Sequence, residues 1–309
     1  MKEQILEAFS RIRGVVRETP VEESSFAPVL YKLEHLQHTG SFKFRGASNK
    51  IAMLTPAEAA AGVIAASNGN HGLGVAAAAR ARGIAAEVYV SAQVSASKAA
   101  RIERMGAKIR CAGDDPLTAE IAARRDAEAS GKVFISPYND LDVVAGQGTI
   151  GVELERQLGR IGAVFVAVGG GGLIGGIGAY LKEVSPGTEI VGCWPENSPV
   201  MQQCMRAGNV IEVAEAATLS ESTAGGLEPG AVTLDLCRRV IDREVLVSEG
   251  EILGAMRRVL EEDHWIIEGA AGVAVAAFLK QAADYRNKTA VIVVCGRNVS
   301  HEVFGKLNI

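Results

Sequence analysis

One lysine of this sequence has a setting that is unusual for its residue type. Lys43 lies between Phe42 and Phe44 in the stretch TGSFKFRG, which has glycines near both ends. Most lysines keep their ammonium group in water, and Lys43 taken alone is interpreted as one more surface lysine. If it is buried, the loss of solvation lowers its pKa, and the neutral amine can attack a carbonyl carbon and form a Schiff base. Phe42 could then cover the face of an aromatic ring.

A run of glycines farther along the chain is a candidate phosphate site. The stretch VGGGGLIGG, residues 168–176, follows an apolar run and precedes a helical pattern. Backbone N–H groups in such a loop converge on an anion, and the helix N-terminus adds its partial positive charge. Gly170, Gly172 and Gly175 also match the dinucleotide pattern G-x-G-x-x-G, with Glu196 about 20 residues on. The alternative is tight packing of a strand on a helix with no ligand.

A second polar loop stands between a predicted strand and a predicted helix. It is the stretch SNGNHGLG, which begins at Ser67. Gly69 frees the backbone, while Asn68, Asn70 and His71 place polar groups at a helix N-terminus, which suits a carboxylate. Serine and asparagine are also ordinary N-cap residues, so a capped helix start without a ligand stays open at this point.

Two further residues stand next to apolar runs. Cys295 ends a predicted strand in VVCGRN, and open α/β sheets bind ligands at the carboxyl ends of their strands. By itself, a cysteine in this setting is more often a small buried hydrophobe. Glu268 lies between an apolar run and a small-residue helix in HWIIEGAAG. It is a candidate for the site, and the alternative is a solvated carboxylate that caps the helix.

Taken together, these stretches point to one cofactor. A buried amine, a glycine loop for a phosphate and a loop for a carboxylate would hold pyridoxal 5'-phosphate and an amino acid. This combination argues against the interpretation of Lys43 as a surface residue. A nicotinamide-dependent dehydrogenase that uses residues 168–176 is the competing enzyme, but it leaves TGSFKFRG and SNGNHG without a role. An inactive amino-acid-binding protein is disfavoured because Lys43 is present.

The elements that must position these residues form an α/β pattern. Short apolar runs alternate with helical periodicity, which favours buried parallel strands joined by helices. The predicted strands fall into two groups along the chain, so we expect two sheets, and therefore two domains with a cleft between them. Strands are predicted at 62–67, 86–90, 108–111, 132–136, 163–168, 189–194 and 290–295, and helices at 71–82, 96–105, 116–130, 140–157, 172–184 and 249–263.

Composition and charge exclude several classes of protein. The 309 residues are 48% hydrophobic and carry a net charge of −4 with no lysine- or arginine-rich run, so neither nucleic acid nor an anionic membrane is an expected partner. Residues 163–181 carry no charge, but their seven glycines favour a strand, a loop and a helix over a membrane span. The five cysteines are scattered without C-x-x-C spacing, which favours reduced thiols in the cytoplasm.

The order of these stretches resembles that of a known enzyme family. KLEHLQHTGSFKFRGA, SNGNHG, AGQGTI, VGGGGL and CGRN occur in the order found in fold-type II pyridoxal-phosphate enzymes, and they most resemble the threonine/serine dehydratases. The resemblance implies a tryptophan synthase β-like fold of two domains, each with a central, mostly parallel sheet. Residues 1–51 and 144–309 would form the large cofactor-binding domain, and residues 52–143 the small domain.

The resemblance also implies roles for individual residues. Lys43 matches the Schiff-base lysine, and Phe42 matches the residue packed on the cofactor ring. Asn70 matches the asparagine bonded to the ring hydroxyl. Cys295 matches the small polar residue that faces the pyridine nitrogen, where a thiol is a poor acid and implies an unprotonated ring. The phosphate cup comprises Gly169, Gly170, Gly171, Gly172 and Leu173, Glu268 is placed with the cofactor-binding residues, and Ser67, Asn68, Gly69 and His71 are placed with the substrate-binding residues.

Two departures from the family pattern matter. Members that use a metal carry acidic residues in EPSNADD-like sequence, and here the same place reads WPENSPV, with Trp194 and Val200 at the two acidic positions. Because these side chains offer no charged oxygen to a hard cation, we expect no metal site. In the racemases a second serine follows the serine at the position of Ser67, and here Asn68, a poor proton-transfer group, takes its place.

The resemblance implies a dehydratase. It would convert a β-hydroxy amino acid, by default L-threonine or L-serine, to a 2-oxo acid and ammonia by β-elimination. A dehydratase for another hydroxy amino acid such as 3-hydroxyaspartate, and a serine racemase, are the alternatives. A homodimer is the expected assembly. The sequence ends at Ile309, soon after CGRN, so we expect no regulatory domain and no isoleucine feedback.

Overall fold

Two separate β-sheets organise the chain in the computed structural model, which describes residues 1–92 and 94–307. One sheet has six strands and the other has four. The strands are β1 Val21–Glu23, β2 Leu30–Lys32, β3 Val63–Ala66, β4 Ala86–Val90, β5 Lys108–Cys111, β6 Val133–Phe134, β7 Ala163–Ala167, β8 Glu189–Pro195, β9 Arg243–Val247 and β10 Ala290–Val293.

The strand order explains why the strands could be recognised in the sequence as apolar runs. The large sheet has the order β1-β2-β10-β7-β8-β9 and the small sheet the order β5-β4-β3-β6. Every pairing is parallel except that of β1 with β2. The central strands β7 and β10 are buried along their whole length. Helices cover both faces of such a sheet, so its strands are continuously apolar, and the α/β prediction is confirmed.

The helices begin and end at residues with clear local signals. The side chain of Asp115 accepts a hydrogen bond from the N–H of Thr118, and Ser248 forms a capping box with Glu251. Within the described residues the helices are α1 Lys2–Ile12, α2 Lys43–Ala52, α3 Pro56–Ala61, α4 Asn70–Ala81, α5 Ala96–Arg104, α6 Pro116–Ser130, α7 Leu141–Leu158, α8 Gly172–Val184, α9 Val200–Ala207, α10 Val232–Val240, α11 Glu249–Glu262, α12 Gly269–Gln281 and α13 His301–Lys306, with short 3-10 helices at Glu34–Leu36 and Ala282–Tyr285.

Helices α2 and α7 cross in close contact where the chain passes between the two sheets. A Cβ atom built on Gly146 would lie 2.7 Å from the Cα of Gly46, so a side chain at this position would force the helices apart. The crossing fixes α2, whose first residue is Lys43, at the cleft between the sheets. The predicted domain limits, 51/52 and 143/144, both fall inside these two helices, and the division of the chain at those residues stays a prediction.

A buried cluster of charges ties α2 to its surroundings. The guanidinium of Arg45 contacts Glu34 at 2.7 Å and Glu153 at 2.5 Å, and the ammonium of Lys32 contacts Glu153 at 2.5 Å. These four side chains are between 0% and 2% exposed, so each charge depends on the others for compensation. The cluster joins β2, α2 and α7, and it therefore helps to hold the helix that begins at Lys43.

Among the described residues, no helix is both long enough and apolar enough to span a bilayer. The uncharged residues 163–181 form strand β7, a loop at 168–171, called the glycine loop below, and the first ten residues of α8, as the glycines predicted.

Candidate active site

Loops that follow β3, β6 and β10 meet at the cleft between the sheets. A cavity of about 1050 Å³ opens there. Parallel sheets present their ligands at the carboxyl ends of their strands, which is where these loops begin. Seven of the residues that were singled out in the sequence line this cavity: Lys43, Ser67, Asn68, Gly69, Asn70, His71 and Glu268.

Lys43 places an amine on the wall of the cavity. Its Nζ donates a hydrogen bond to the carbonyl of Pro137 at 2.9 Å and lies 5.2 Å from the centre of the Phe42 ring. The side chain is half-buried, because it faces the cavity. Burial by the surrounding protein lowers the pKa of Lys43 to about 8, although the nearby Cys295 and Glu268 oppose the shift. A neutral amine is therefore accessible close to neutral pH, as the sequence predicted.

The lowered pKa has a direct consequence for reactivity. In protein freed of cofactor, labelling of Lys43 by an amine-directed reagent should rise with pH and reach half its maximum near pH 8, because only the neutral amine reacts. Mass spectrometry of the peptide that contains Lys43 measures the rate, with the exposed Lys108 as an internal reference. A midpoint for Lys43 near pH 10, the ordinary range for lysine, would contradict the burial argument.

Asn70 and Glu268 form a hydrogen-bonded unit beside Lys43. The amide nitrogen of Asn70 donates to both carboxylate oxygens of Glu268 at 2.9 Å, and Asn298 Nδ2 donates to Asn70 Oδ1 at 2.6 Å. The hydroxyl of Ser222 donates to Glu268 at 2.8 Å. Burial raises the pKa of Glu268, while these donors oppose the rise. Glu268 is only 6% exposed and makes no capping hydrogen bond with its side chain, so the alternative of a solvated helix cap is wrong.

The side chains of the loop that begins at Ser67 are bonded to protein partners. Ser67 Oγ accepts from the N–H of Gly69 at 3.1 Å. Asn68 donates to Ser91 Oγ at 2.8 Å and accepts from the N–H of Ser91 at 3.0 Å. Because these side chains already have partners, the donors that remain for an anion are the backbone N–H groups at the start of α4.

His71 is a neutral imidazole in this setting. Burial lowers its pKa to about 3, with a further contribution from Lys43. Its Nε2 lies 2.7 Å from the carbonyl oxygen of Ile135. Since a carbonyl only accepts, Nε2 carries the hydrogen and Nδ1 remains an acceptor.

The glycine loop has the form expected of a phosphate cup. Gly171 has a φ of +81°, and a Cβ on Gly170 would lie 2.3 Å from the Tyr138 ring, so both positions require glycine. Among the described residues, no hydrogen-bond acceptor faces the N–H groups of Gly169, Gly170 or Gly171. These donors precede the 13-residue helix α8. These N–H groups suit a phosphate. The glycine loop itself does not line the cavity. Tyr138, which does line the cavity, packs on the loop.

Cys295 lies next to Phe42, the residue that precedes Lys43. Its carbonyl accepts a hydrogen bond from the N–H of Phe42 at 3.1 Å, and its side chain is 2% exposed. Burial raises the pKa of the Cys295 thiol well above its ordinary value, so the group is neutral. The half-buried amine, the free N–H donors and the neutral thiol fit pyridoxal 5'-phosphate, and the role of each residue toward it stays a prediction.

The acidic positions of the metal-using family members are apolar and enclosed here. Trp194 is fully buried and Val200 is 3% exposed. Within residues 1–92 and 94–307, no group of three or more histidine, cysteine or acidic side chains is placed to hold a metal ion. The expectation that the protein uses no metal stays a prediction.

Four residues of this site were not assigned from the sequence. Pro137 and Tyr138 follow β6, and their place after a predicted strand was a usable signal. Asn298 stood in the quoted motif CGRN without a role. Ser222 lies in the irregular segment between α9 and α10, where neither helical nor strand periodicity offered a signal.

Comparisons with known proteins agree on the family. The sequence matches a family described as "Pyridoxal-phosphate dependent enzyme" over residues 12–296. An "L-threonine ammonia-lyase" from Thermotoga maritima is 38% identical over 311 aligned positions, which cover 99% of this chain and 77% of the relative. Maize serine racemase has a TM-score of 0.91 at 30% identity, covering 99% of this chain and 95% of that one. The processed form of threonine deaminase isoform 2 from Solanum lycopersicum has a TM-score of 0.91 at 30% identity, covering 99% and 93%.

Proposed function

Because the chain belongs to the family of pyridoxal-phosphate dependent enzymes, we propose that it converts L-threonine or L-serine to a 2-oxo acid and ammonia. Pyridoxal 5'-phosphate is the cofactor, and the fold is that of the fold-type II enzymes, as the sequence predicted. The observation that carries the proposal is the Lys43 amine, with a pKa of about 8, on the wall of a cavity that also contains the N-terminus of α4.

Lys43 has two tasks in the proposed reaction. Its amine would hold the cofactor in the resting protein, and the free amine would take the α-proton of the substrate. A pKa of about 8 leaves part of the amine unprotonated at neutral pH, which both tasks require. The bound cofactor supplies an electron sink for the electrons left on the α-carbon. Departure of the β-hydroxyl as water, followed by hydrolysis, gives the 2-oxo acid and ammonia.

The remaining residues hold the reacting parts in place. The N–H groups at the start of α4 bind the α-carboxylate, since the side chains around them already have partners. Asn70, whose amide group bonds Glu268 and Asn298, would contact the ring hydroxyl of the cofactor. The N–H groups of the glycine loop would hold the phosphate, Phe42 would pack on the ring, and Cys295 would offer the ring nitrogen a neutral thiol.

The test is a substrate panel on the cofactor-loaded protein. L-Threonine, L-serine and both diastereomers of 3-hydroxyaspartate are assayed for 2-oxo acid and for ammonia, and L-2-aminobutyrate and L-alanine serve as matched controls without a β-hydroxyl. The proposal requires the two products in equal amounts from at least one hydroxylated substrate and none from the controls. Racemisation of L-serine at a rate equal to product release would favour a racemase.

The proposal extends to the organisation of the protein. Residues 52–143, which contain the four-stranded sheet, would form the small domain, and residues 1–51 with 144–309 the large one. The two parts would enclose the substrate between them. A homodimer in the cytoplasm is the proposed assembly, and sedimentation equilibrium of the loaded protein tests the dimer.

Chelation should leave the activity unchanged. Trp194 and Val200 give a hard cation no charged oxygen, so an excess of EDTA should remove no ion on which the reaction depends. The measurement is 2-oxo acid release before and after dialysis against the chelator, in buffer freed of metals. A large loss that magnesium or calcium restores would show that a cation acts in this enzyme.

A further inference from the structure

Arg101 on α5 is a cavity-lining cation that the proposed reaction does not use. It lies on the wall of the same cavity as Lys43, with two other basic side chains, Lys98 and Arg124. Lys98 pairs with Glu221 at 2.9 Å, and Arg124 pairs with Glu228 at 2.6 Å. In the described part of the chain no carboxylate lies within 4 Å of Arg101, so it differs from both neighbours.

Within residues 1–92 and 94–307, the one hydrogen bond that the Arg101 side chain makes is to a neutral group. Its Nη2 donates to Asn298 Oδ1 at 2.7 Å, which leaves most of its five N–H donors available. Burial, together with the like charges of Arg104 and Arg297, lowers the pKa of Arg101, although a guanidinium remains charged at neutral pH. A half-buried cation among like charges is unfavourable unless an anion joins it. The cavity thus has an uncompensated positive charge at this end.

The position of Arg101 is close to the proposed α-carboxylate site. Asn298 bonds both Arg101 and Asn70, the first residue of α4. Helix α5 also packs on the start of α4, where a Cβ on Gly72 would lie 3.2 Å from Ile102. The N–H groups of α4 already provide for one carboxylate. For a substrate with one carboxylate, Arg101 would be surplus.

We propose that Arg101 binds a second carboxylate of the substrate, and that the enzyme prefers a hydroxylated dicarboxylic amino acid such as 3-hydroxyaspartate. This inference rests on the proposed function, since it keeps the same elimination and adds a preferred substrate over L-threonine and L-serine. The planar guanidinium matches a carboxylate through two parallel hydrogen bonds while Asn298 holds it from the other side. Loss of the β-hydroxyl as water and hydrolysis then give a 2-oxo dicarboxylic acid and ammonia.

The test compares two substrates in four forms of the cofactor-loaded protein: wild type, Arg101→Ala, Arg101→Lys and Arg104→Ala. Arg104 lies on the same helix, is exposed and is outside the cavity lining, so its variant is a matched control. For 3-hydroxyaspartate, we expect kcat/KM to fall about 10- to 100-fold in Arg101→Ala, with a smaller loss in Arg101→Lys. For L-threonine in the Arg101 variants, and for both substrates in Arg104→Ala, kcat/KM should stay within about threefold of wild type.

A binding measurement separates this inference from the reaction itself. Calorimetry of the loaded protein with succinate and with butyrate compares a dicarboxylate with its monocarboxylate counterpart, and only succinate should lose affinity in Arg101→Ala. Equal losses of kcat/KM for 3-hydroxyaspartate and L-threonine in Arg101→Ala would mean that Arg101 binds the α-carboxylate. No loss of kcat/KM for either substrate would mean that Arg101 binds neither carboxylate. Both results overturn the inference. If wild type turns over no hydroxy amino acid, the proposed function fails, and the succinate measurement still decides the role of Arg101.

Discussion

Replacement of Lys43 by alanine should lower the release of 2-oxo acid by about 10⁴-fold or more, because one amine both binds the cofactor and takes the α-proton. The cofactor should still associate with the variant, since the N–H groups of the glycine loop and the Asn70 amide are unchanged. Absorbance titration with pyridoxal 5'-phosphate measures that association, and the 2-oxo acid assay measures the loss of rate.

A second substitution controls for charge. Lys43→Arg keeps a cation at the same place but removes the nucleophilic amine, so it should be as inactive as Lys43→Ala. Turnover by either variant at a rate near that of wild type would mean that another group does the chemistry. Thermal unfolding of both variants shows whether the fold is intact.

Substitution of Arg45 by methionine should destabilise the protein by about 3–5 kcal/mol, because it leaves buried carboxylates without their main partner. Glu34 and Glu153 both contact Arg45, and of these two carboxylates Lys32 contacts only Glu153. Urea unfolding followed by circular dichroism gives the change in the free energy of unfolding. Arg13→Met, at an exposed arginine, should cost less than about 1 kcal/mol.

The pH dependence of that loss follows from Glu34. Burial alone would raise the pKa of Glu34, but Arg45 holds it below its ordinary value of 4.5. A carboxylate with a lowered pKa stabilises the folded state above the unfolded pKa, and this stability is lost as pH falls through the folded pKa. The difference between wild type and Arg45→Met should therefore be full at pH 7 and shrink below about pH 4.5. A difference that is small at pH 7 would mean that the cluster is not the support of α2.

Where a structural signal was local and repeated, the sequence was a good guide to the fold. Strand β7 and helix α8 were predicted within about a residue, since a buried apolar run, a glycine loop and a helical pattern follow each other directly. Strands β1 and β2 have three residues each and include charged side chains, so no periodicity marks them. Strand β2 pairs with β10, which is distant in sequence, and β1 pairs with β2.

The same distinction holds for the site. Lys43 was found because its neighbours and the other motifs gave it a context. The fully bonded state of Asn68 was not foreseeable, since it depends on Ser91 at the end of β4, 23 residues away. Arg101 was missed for a similar reason: α5 reads as a surface helix, and only the tertiary contact with Asn298 places its guanidinium at the cavity.

The most direct test of the central claim is the covalent partner of the cofactor. The protein loaded with pyridoxal 5'-phosphate is reduced with borohydride, digested and searched by mass spectrometry for the pyridoxyl group. We predict one group per chain, attached to the Nζ of Lys43, with loss of the visible absorption band and of 2-oxo acid release. A group on another lysine, or full activity after reduction with none on Lys43, would contradict the account.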